Sequence, residues 1–221
     1  MAERMRIKFC GLRRIADVRE AVHLGADFLG FVFAEGSPRQ LEPGSAEALL
    51  DAVDTAGARR VGVFRDQPPT FVNEVARRCR LDLVQLHGRE SARAFGELEL
   101  PAIVVLQAPA AGSNRAPDLR RLDELSPFAA LIDAEDAAGR SGGLGVSVPP
   151  ATAQRMLAQL PPGTRAFLAG GLTPENVGER VRLRPYALDV SSGIESAPGI
   201  KDPQRMRAFV QAVRQASRNW R

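Results

Sequence analysis

"RAFLAGGLTPEN" at residues 165–176 and "YALDVSSGIE" at residues 186–195 decide the fold of this chain. Each opens with a short, nearly continuous apolar run, which ends in glycine or serine before a polar segment follows. Strands buried on both faces read this way, and they belong to parallel sheets covered by helices. An open doubly wound sheet usually carries its glycine-rich phosphate loop after the first strand. A closed barrel carries its recurrent phosphate site on the loops after strands seven and eight. The fold therefore turns on how many such units precede these two.

Six do. They are "MRIKFC" (5–10), "DFLGFVF" (27–33), "RRVGVF" (59–64), "LDLVQL" (81–86), "AIVVLQ" (102–107) and "AALID" (129–133). Helical patterns lie between them, such as "QPPTFVNEVARRC" (67–79). In "DPQRMRAFVQAVRQ" (202–215), Met206, Phe209, Val210 and Val213 fall at i, i+3, i+4 and i+7, with Asp202 expected as N-cap and Pro203 in the first turn. In "TPEN", Thr173 is expected to cap the seventh helix with Pro174 at its first position. Eight strand-then-helix units in 221 residues predict an α/β fold, a single (β/α)8 TIM barrel, as one domain over residues 1–221. Two connections are long: "APAAGSNRAP" (108–117) and "AEDAAGRSGGLGVSVPP" (134–150).

Composition narrows the function. Hydrophobic residues make up 44% and charged residues 25%, an ordinary water-facing balance, and no apolar run is long enough to cross a membrane. The N-terminus lacks the apolar core and cleavage site of a signal peptide. Cys10 and Cys79 are the two cysteines, too few for a disulfide scaffold, and the expected compartment is a reducing cytoplasm. The net charge of +4 comes from arginine, since Lys8 and Lys201 are the sole lysines. The basic residues are interleaved with acids on helical patterns, as on a solvated surface, so neither nucleic acid nor membrane is an expected partner. The basic end, "RQASRNWR", reads as a solvated helix terminus. Two histidines and no clustered acids argue against a metal centre, and no cofactor motif is present.

The C-terminal rim of such a barrel is where chemistry is placed. Arg6, Lys8 and Cys10 share one parity of the first strand, and Cys10 ends it beside Gly11. A thiol there can act as a base if dipoles or cations lower its pKa. Asp133 closes an apolar strand, where an apolar surround would keep it protonated as a general acid; Glu135 and Asp136 are decoys nearby. Arg39, held by Pro38, has the fork that suits a carboxylate. His87 follows strand four, whereas His23 lies inside a helical pattern and Cys79 at the end of one, both expected to be structural. Gly170 and Gly171, with Ser192 and Gly193 at the start of a short helix, form the expected phosphate site; Asp189 closes strand eight.

Taken together, "KFCGLRR", "GADFLGFVFAEGSPR", "VGVFRDQ", "LDLVQLHGRES", "LIDA", "LAGGLTPENV" and "RPYALDVSSGIESAPGIKD" resemble the phosphoribosylanthranilate isomerases of tryptophan biosynthesis, from Arg6 to about Val213. The resemblance implies a cofactor-free Amadori rearrangement. Cys10 is implied as general base and Asp133 as general acid. Arg39 is implied to meet the anthranilate carboxylate, His87 and Asp189 to line the substrate site, and Gly170, Gly171, Ser192 and Gly193 to hold the phosphate. A monomer or homodimer acting on a small phosphorylated aminosugar follows. The chain departs from the family pattern in "AIVVLQ", which lacks a lysine, in "SGGLGVSVPP", which lacks a threonine, lysine and aromatic residue, and in "KFCG" for "KICG". Alternatives are the related aminoaldose isomerase of histidine biosynthesis, and a catalytically silent barrel that binds phosphorylated metabolites. "RDQPP" after strand three offers no second glycine pair for the former.

Overall fold

A computed structural model describes residues 4–109, 118–134 and 147–218. Eight parallel strands close into a barrel in sequence order: β1 Arg6–Cys10, β2 Phe28–Val32, β3 Arg59–Phe64, β4 Leu83–Leu86, β5 Ala102–Ala108, β6 Ala129–Ala134, β7 Ala166–Leu168 and β8 Ala187–Val190. Closure is made by β1 against β8, with Arg6 opposite Ala187, Lys8 opposite Asp189 and Phe9 opposite Val190. Helices follow the strands: α1 Ile15–His23, α2 Pro43–Asp51, α3 Pro69–Arg78, α4 Ala92–Gly96, α5 Arg120–Leu125, α6 Pro150–Gln159, α7 Val177–Val181 and α8 Pro203–Ser217. The fold is the (β/α)8 barrel that the eight repeated units predict. Among the described residues, no helix is long and apolar enough to cross a membrane.

The parity of β1 sorts its side chains into two cores. Ile7 and Phe9 point outward into the layer between barrel and helices, where Phe9 meets Phe209 of α8 with ring centroids 6.3 Å apart. That layer takes Met206, Phe209, Val210 and Val213, so the periodic stripe of α8 faces the barrel. Asp202 caps α8 by accepting from the Gln204 and Arg205 amides, ahead of Pro203. The barrel's own interior is filled at one end by an apolar plug in which Phe28 and Phe167 meet edge to face at 4.9 Å. Arg6, on the inward parity, stacks over Tyr186 at that end, 4.4 Å from the ring centroid. Lys8 and Cys10 continue the same row towards the C-terminal mouth.

Three local features depart from the sequence expectation. Helix α7 starts at Val177 rather than at the "TPEN" turn. The Asn176 side chain accepts from the Thr173 amide and donates to the Gly171 carbonyl, which ties residues 171–176 into a turn of their own. Beyond β8 the short helix is a 3-10 turn, Ser192–Ile194, and it runs into an unforeseen antiparallel pair, β9 Glu195–Ala197 and β10 Ile200–Lys201. His23 is the last residue of α1, as its helical pattern predicts, but it is exposed rather than packed as a structural residue. Cys79 follows α3 and is packed in the core as expected; burial pushes its thiol up to about 11. Residues 110–117 and 135–146, including Glu135 and Asp136, lie outside the described residues, as do the last three residues of the basic tail.

Candidate active site

A cavity at the C-terminal mouth of the barrel collects residues from distant parts of the chain. Cys10 arrives at the end of β1 and Asp133 near the end of β6. His87 follows β4, and Asp189 comes from β8. Arg39 reaches in from the loop after β2. Gly170, Gly171 and Ser192 line the side formed by the loops after β7 and β8. Gly193 is not part of the cavity wall. A β-carbon there would run into the Leu172 carbonyl, so its missing side chain lets the β8 loop pack directly on the β7 loop.

The glycine after Cys10 has two causes. Gly11 has φ of +76°, a left-handed turn that glycine adopts without strain. A β-carbon would also collide with the aliphatic stem of Arg39, which crosses directly above. The β1 exit therefore positions both Cys10 and Arg39. On the neighbouring strand, a β-carbon at Gly30 would stand 2.9 Å from Cys10 Sγ, so β2 leaves room for the thiol.

Below the mouth lies a buried polar layer in which Lys8 and Gln85, which sequence reasoning did not assign, join Asp189, His87 and Asp133, which it did. Lys8 Nζ donates to Gln85 Oε1 at 2.9 Å and to both Asp189 oxygens at 3.0 and 3.1 Å. Gln85 Nε2 lies 3.2 Å from His87 Nδ1, and His87 Nε2 lies 3.4 Å from Asp133 Oδ2. Asp133 Oδ1 accepts from the Ala134 amide at 2.9 Å. A second buried group sits beside Cys10. Lys201 Nζ donates to the Ser191 carbonyl at 3.1 Å and to Glu195 Oε1 at 2.8 Å, and the Ser191 hydroxyl donates to the Cys10 carbonyl. Arg39 grips the same Glu195 with two parallel hydrogen bonds of 2.8 and 2.7 Å. One signal for these residues was present in the sequence. In a chain that uses arginine for almost every surface cation, both lysines are buried here, where a compact charge with three rotatable donors is required.

Charge follows burial. Burial pushes the Cys10 thiol up, and the Lys8 and Lys201 ammonium groups, which pull it down, do not overcome that effect. Cations do stand beside Cys10, but the lowered thiol on which its role as a base was conditioned is not found: burial leaves it raised. Burial pulls Lys8 down, yet Asp189 and Cys10 outweigh it and hold the ammonium charged. Burial likewise raises Asp189, with Lys8 opposing. Glu195 is held below the usual carboxylate range in spite of burial, by Arg39 and Lys201. Burial lowers Lys201 against the pull of Glu195. Among the described residues, no cluster of three or more His, Cys, Asp and Glu has the form of a metal site.

A parallel barrel whose mouth joins a thiol, a carboxyl, an imidazole and two cationic side chains under a pair of glycine- and serine-bearing loops defines a class: a (β/α)8 enzyme equipped for proton transfer on a small ligand. Comparison with known proteins gives the particular family. Residues 7–212 match the family described as N-(5'phosphoribosyl)anthranilate (PRA) isomerase. The N-(5'-phosphoribosyl)anthranilate isomerase of Chlorobium luteolum is 41% identical over 214 residues, covering 96% of this chain and 98% of that one. The protein of the same name from Geobacter sulfurreducens is 40% identical over 215 residues, covering 95% and 98%. The crystal structure of the phosphoribosyl anthranilate isomerase of Thermus thermophilus superimposes with a TM-score of 0.82 at 38% identity, over 96% of this chain and 99% of that one. A phosphoribosyl anthranilate isomerase in complex with reduced 1-(o-carboxyphenylamino)-1-deoxyribulose 5-phosphate gives 0.78 at 29% identity, over 96% and 99%. The chain belongs to the phosphoribosylanthranilate isomerase family.

Proposed function

We propose that this chain converts N-(5-phosphoribosyl)anthranilate to 1-(o-carboxyphenylamino)-1-deoxyribulose 5-phosphate, with Cys10 and Asp133 as its base and acid. The observation that carries this reading is that Cys10 and Asp133 line one cavity with Gly170, Gly171 and Ser192 at its side, in a chain of this family. Asp133 gives its proton to the furanose ring oxygen as the C1–O bond breaks and the anthranilate nitrogen lone pair forms the C=N bond. Cys10, in its thiolate form, then takes the C2 proton. The C2–H electrons form C1=C2, and the C=N π electrons return to nitrogen. The resulting enolamine loses its enol proton and gains one at C1 to give the ketone. The enzyme ends one proton richer at Cys10 and one poorer at Asp133, and exchange through solvent restores both. No step calls for an oxidant, a metal or a cofactor.

The remaining site residues act by binding. Gly170, Gly171 and Ser192 take the phosphate through backbone and hydroxyl groups, with Gly193 seating the β8 loop against the β7 loop, and Arg39, whose Nε and Nη2 are held by Glu195, meets the anthranilate carboxylate with its remaining nitrogen. His87 and Asp189 line the sugar. On this reading the protein works in the cytoplasm as a one-domain monomer or homodimer on a small phosphorylated aminosugar, without nucleic acid or membrane.

The test is turnover of phosphoribosylanthranilate, generated in situ and followed by its fluorescence decay. Wild type should turn over rapidly. Cys10→Ala and Asp133→Asn should each lose about 100-fold or more, the usual scale of a lost acid or base. A folded wild type without turnover overturns the reaction, and full activity in either variant overturns that residue's role.

A further inference from the structure

Gln85 is buried inside the barrel and lines the same cavity as Cys10 and Asp133, above the buried Lys8–Asp189 pair. Its amide is oriented by what surrounds it. Lys8 Nζ, at 2.9 Å, has only protons to give, so the Gln85 oxygen faces it. The amide NH2 then faces His87 Nδ1 at 3.2 Å, and that nitrogen accepts. A neutral imidazole that accepts at Nδ1 carries its proton on Nε2. His87 Nε2 is buried, has no hydrogen-bond partner among the described residues, and stands 3.4 Å from Asp133 Oδ2. Gln85 and His87 are two residues apart along one extended segment, so both point inward, one above the other.

We propose that Gln85 is a positioning residue: it relays the donor-only charge of Lys8 and so fixes His87 as the Nε2–H tautomer, its proton directed at the Asp133 carboxyl and at oxygen atoms bound in the cavity. The opposite tautomer would aim a lone pair at Asp133, repelling its carboxylate and competing for its proton. The Nε2–H form supports the carboxylate once its proton has gone to the substrate. The kinetic consequence rests on the proposed reaction; the tautomer does not.

The chain has two histidines, so His23→Gln leaves a single imidazole to observe in the full-length protein. Nitrogen-15 NMR of that imidazole, above the pH where histidine is charged, should show Nδ1 unprotonated and Nε2 protonated. Gln85→Met, which keeps volume but removes both amide groups, should give a mixture of tautomers. In steady-state turnover it should lower kcat about ten-fold or more with little change in KM, while costing nothing further in a His87→Ala background. Any of three results overturns the proposal: an Nδ1–H imidazole in the wild type, an unchanged tautomer in Gln85→Met, or losses that add in the double variant. The wild-type spectrum decides the tautomer even where Gln85→Met does not fold. A wild type that shows the Nε2–H form but does not turn over phosphoribosylanthranilate supports the tautomer and overturns the proposed reaction instead.

Discussion

Cys10 shows how one residue is set by several neighbours. Gly30 gives it space, Gly11 turns the chain behind it, and Lys8 and Lys201 stand on either side. Because burial outweighs those cations, the free enzyme holds Cys10 as a thiol at neutral pH. The pH dependence of kcat/KM reports groups of the free enzyme, so it should keep rising into the alkaline range. A kcat/KM that is flat from acid to alkaline pH would remove Cys10 as the base. Glu195 behaves in the opposite sense. Its folded-state pKa lies below the ordinary 4.5, so its ionised form stabilises the fold above that value and the contribution fades as pH falls through the folded-state pKa. Glu195→Gln should therefore lower Tm at neutral pH, and thermal melts should show wild type and variant converging as pH falls through the folded-state pKa of Glu195. A gap that persists in acid would mean that packing, rather than charge, carries the effect.

At the scale of elements, helix α8 is fastened by local chemistry away from the mouth. Helix α8 lays its apolar stripe on β1 and starts at a defined point, because Asp202 satisfies two of its free amides. Asp202→Ala should cost about 1 kcal/mol of stability, measured by urea unfolding, with kcat unchanged. A selective loss of activity would show that α8 helps set the adjoining β9–β10 pair, which carries Glu195 and Lys201. That pair was invisible in sequence. Two or three residues per strand give no alternation to read, and the segment reads as loop until its partners close on it.

At the scale of the whole molecule, barrel closure brings Lys8 and Asp189 together as register partners on the first and last strands. Both are buried, so removing one partner leaves an uncompensated charge. Lys8→Met should cost about 3–5 kcal/mol in denaturant unfolding. Lys8→Met with Asp189→Leu should recover part of that stability, because well-packed apolar groups often replace a buried pair at little loss. Turnover should stay low in both, since the layer beneath the mouth has lost its donor. Recovery of activity together with stability would assign this pair a purely structural part.

The sequence by itself determined the eight strands, the order of the helices, the barrel and the rim residues. Each rests on a periodicity or a turn signal carried by neighbouring residues, and such signals survive without knowledge of the fold. Cys10, Asp133 and the Gly170–Gly171 turn were legible because each sits at the end of an apolar run. Lys8, Gln85, Glu195 and Lys201 were not, because nothing local distinguishes a charge that will be buried from one that will be solvated. Their partners are as distant as Asp189 is from Lys8, and only closure of the sheet brings them into hydrogen-bond range. Tertiary structure alone decided that Arg39 holds Glu195, that burial raises the Cys10 thiol in spite of two cations, and which nitrogen of His87 faces Asp133. Burial, net charge and the direction of a donor are properties of an enclosed space, and that space exists only once β1 has met β8.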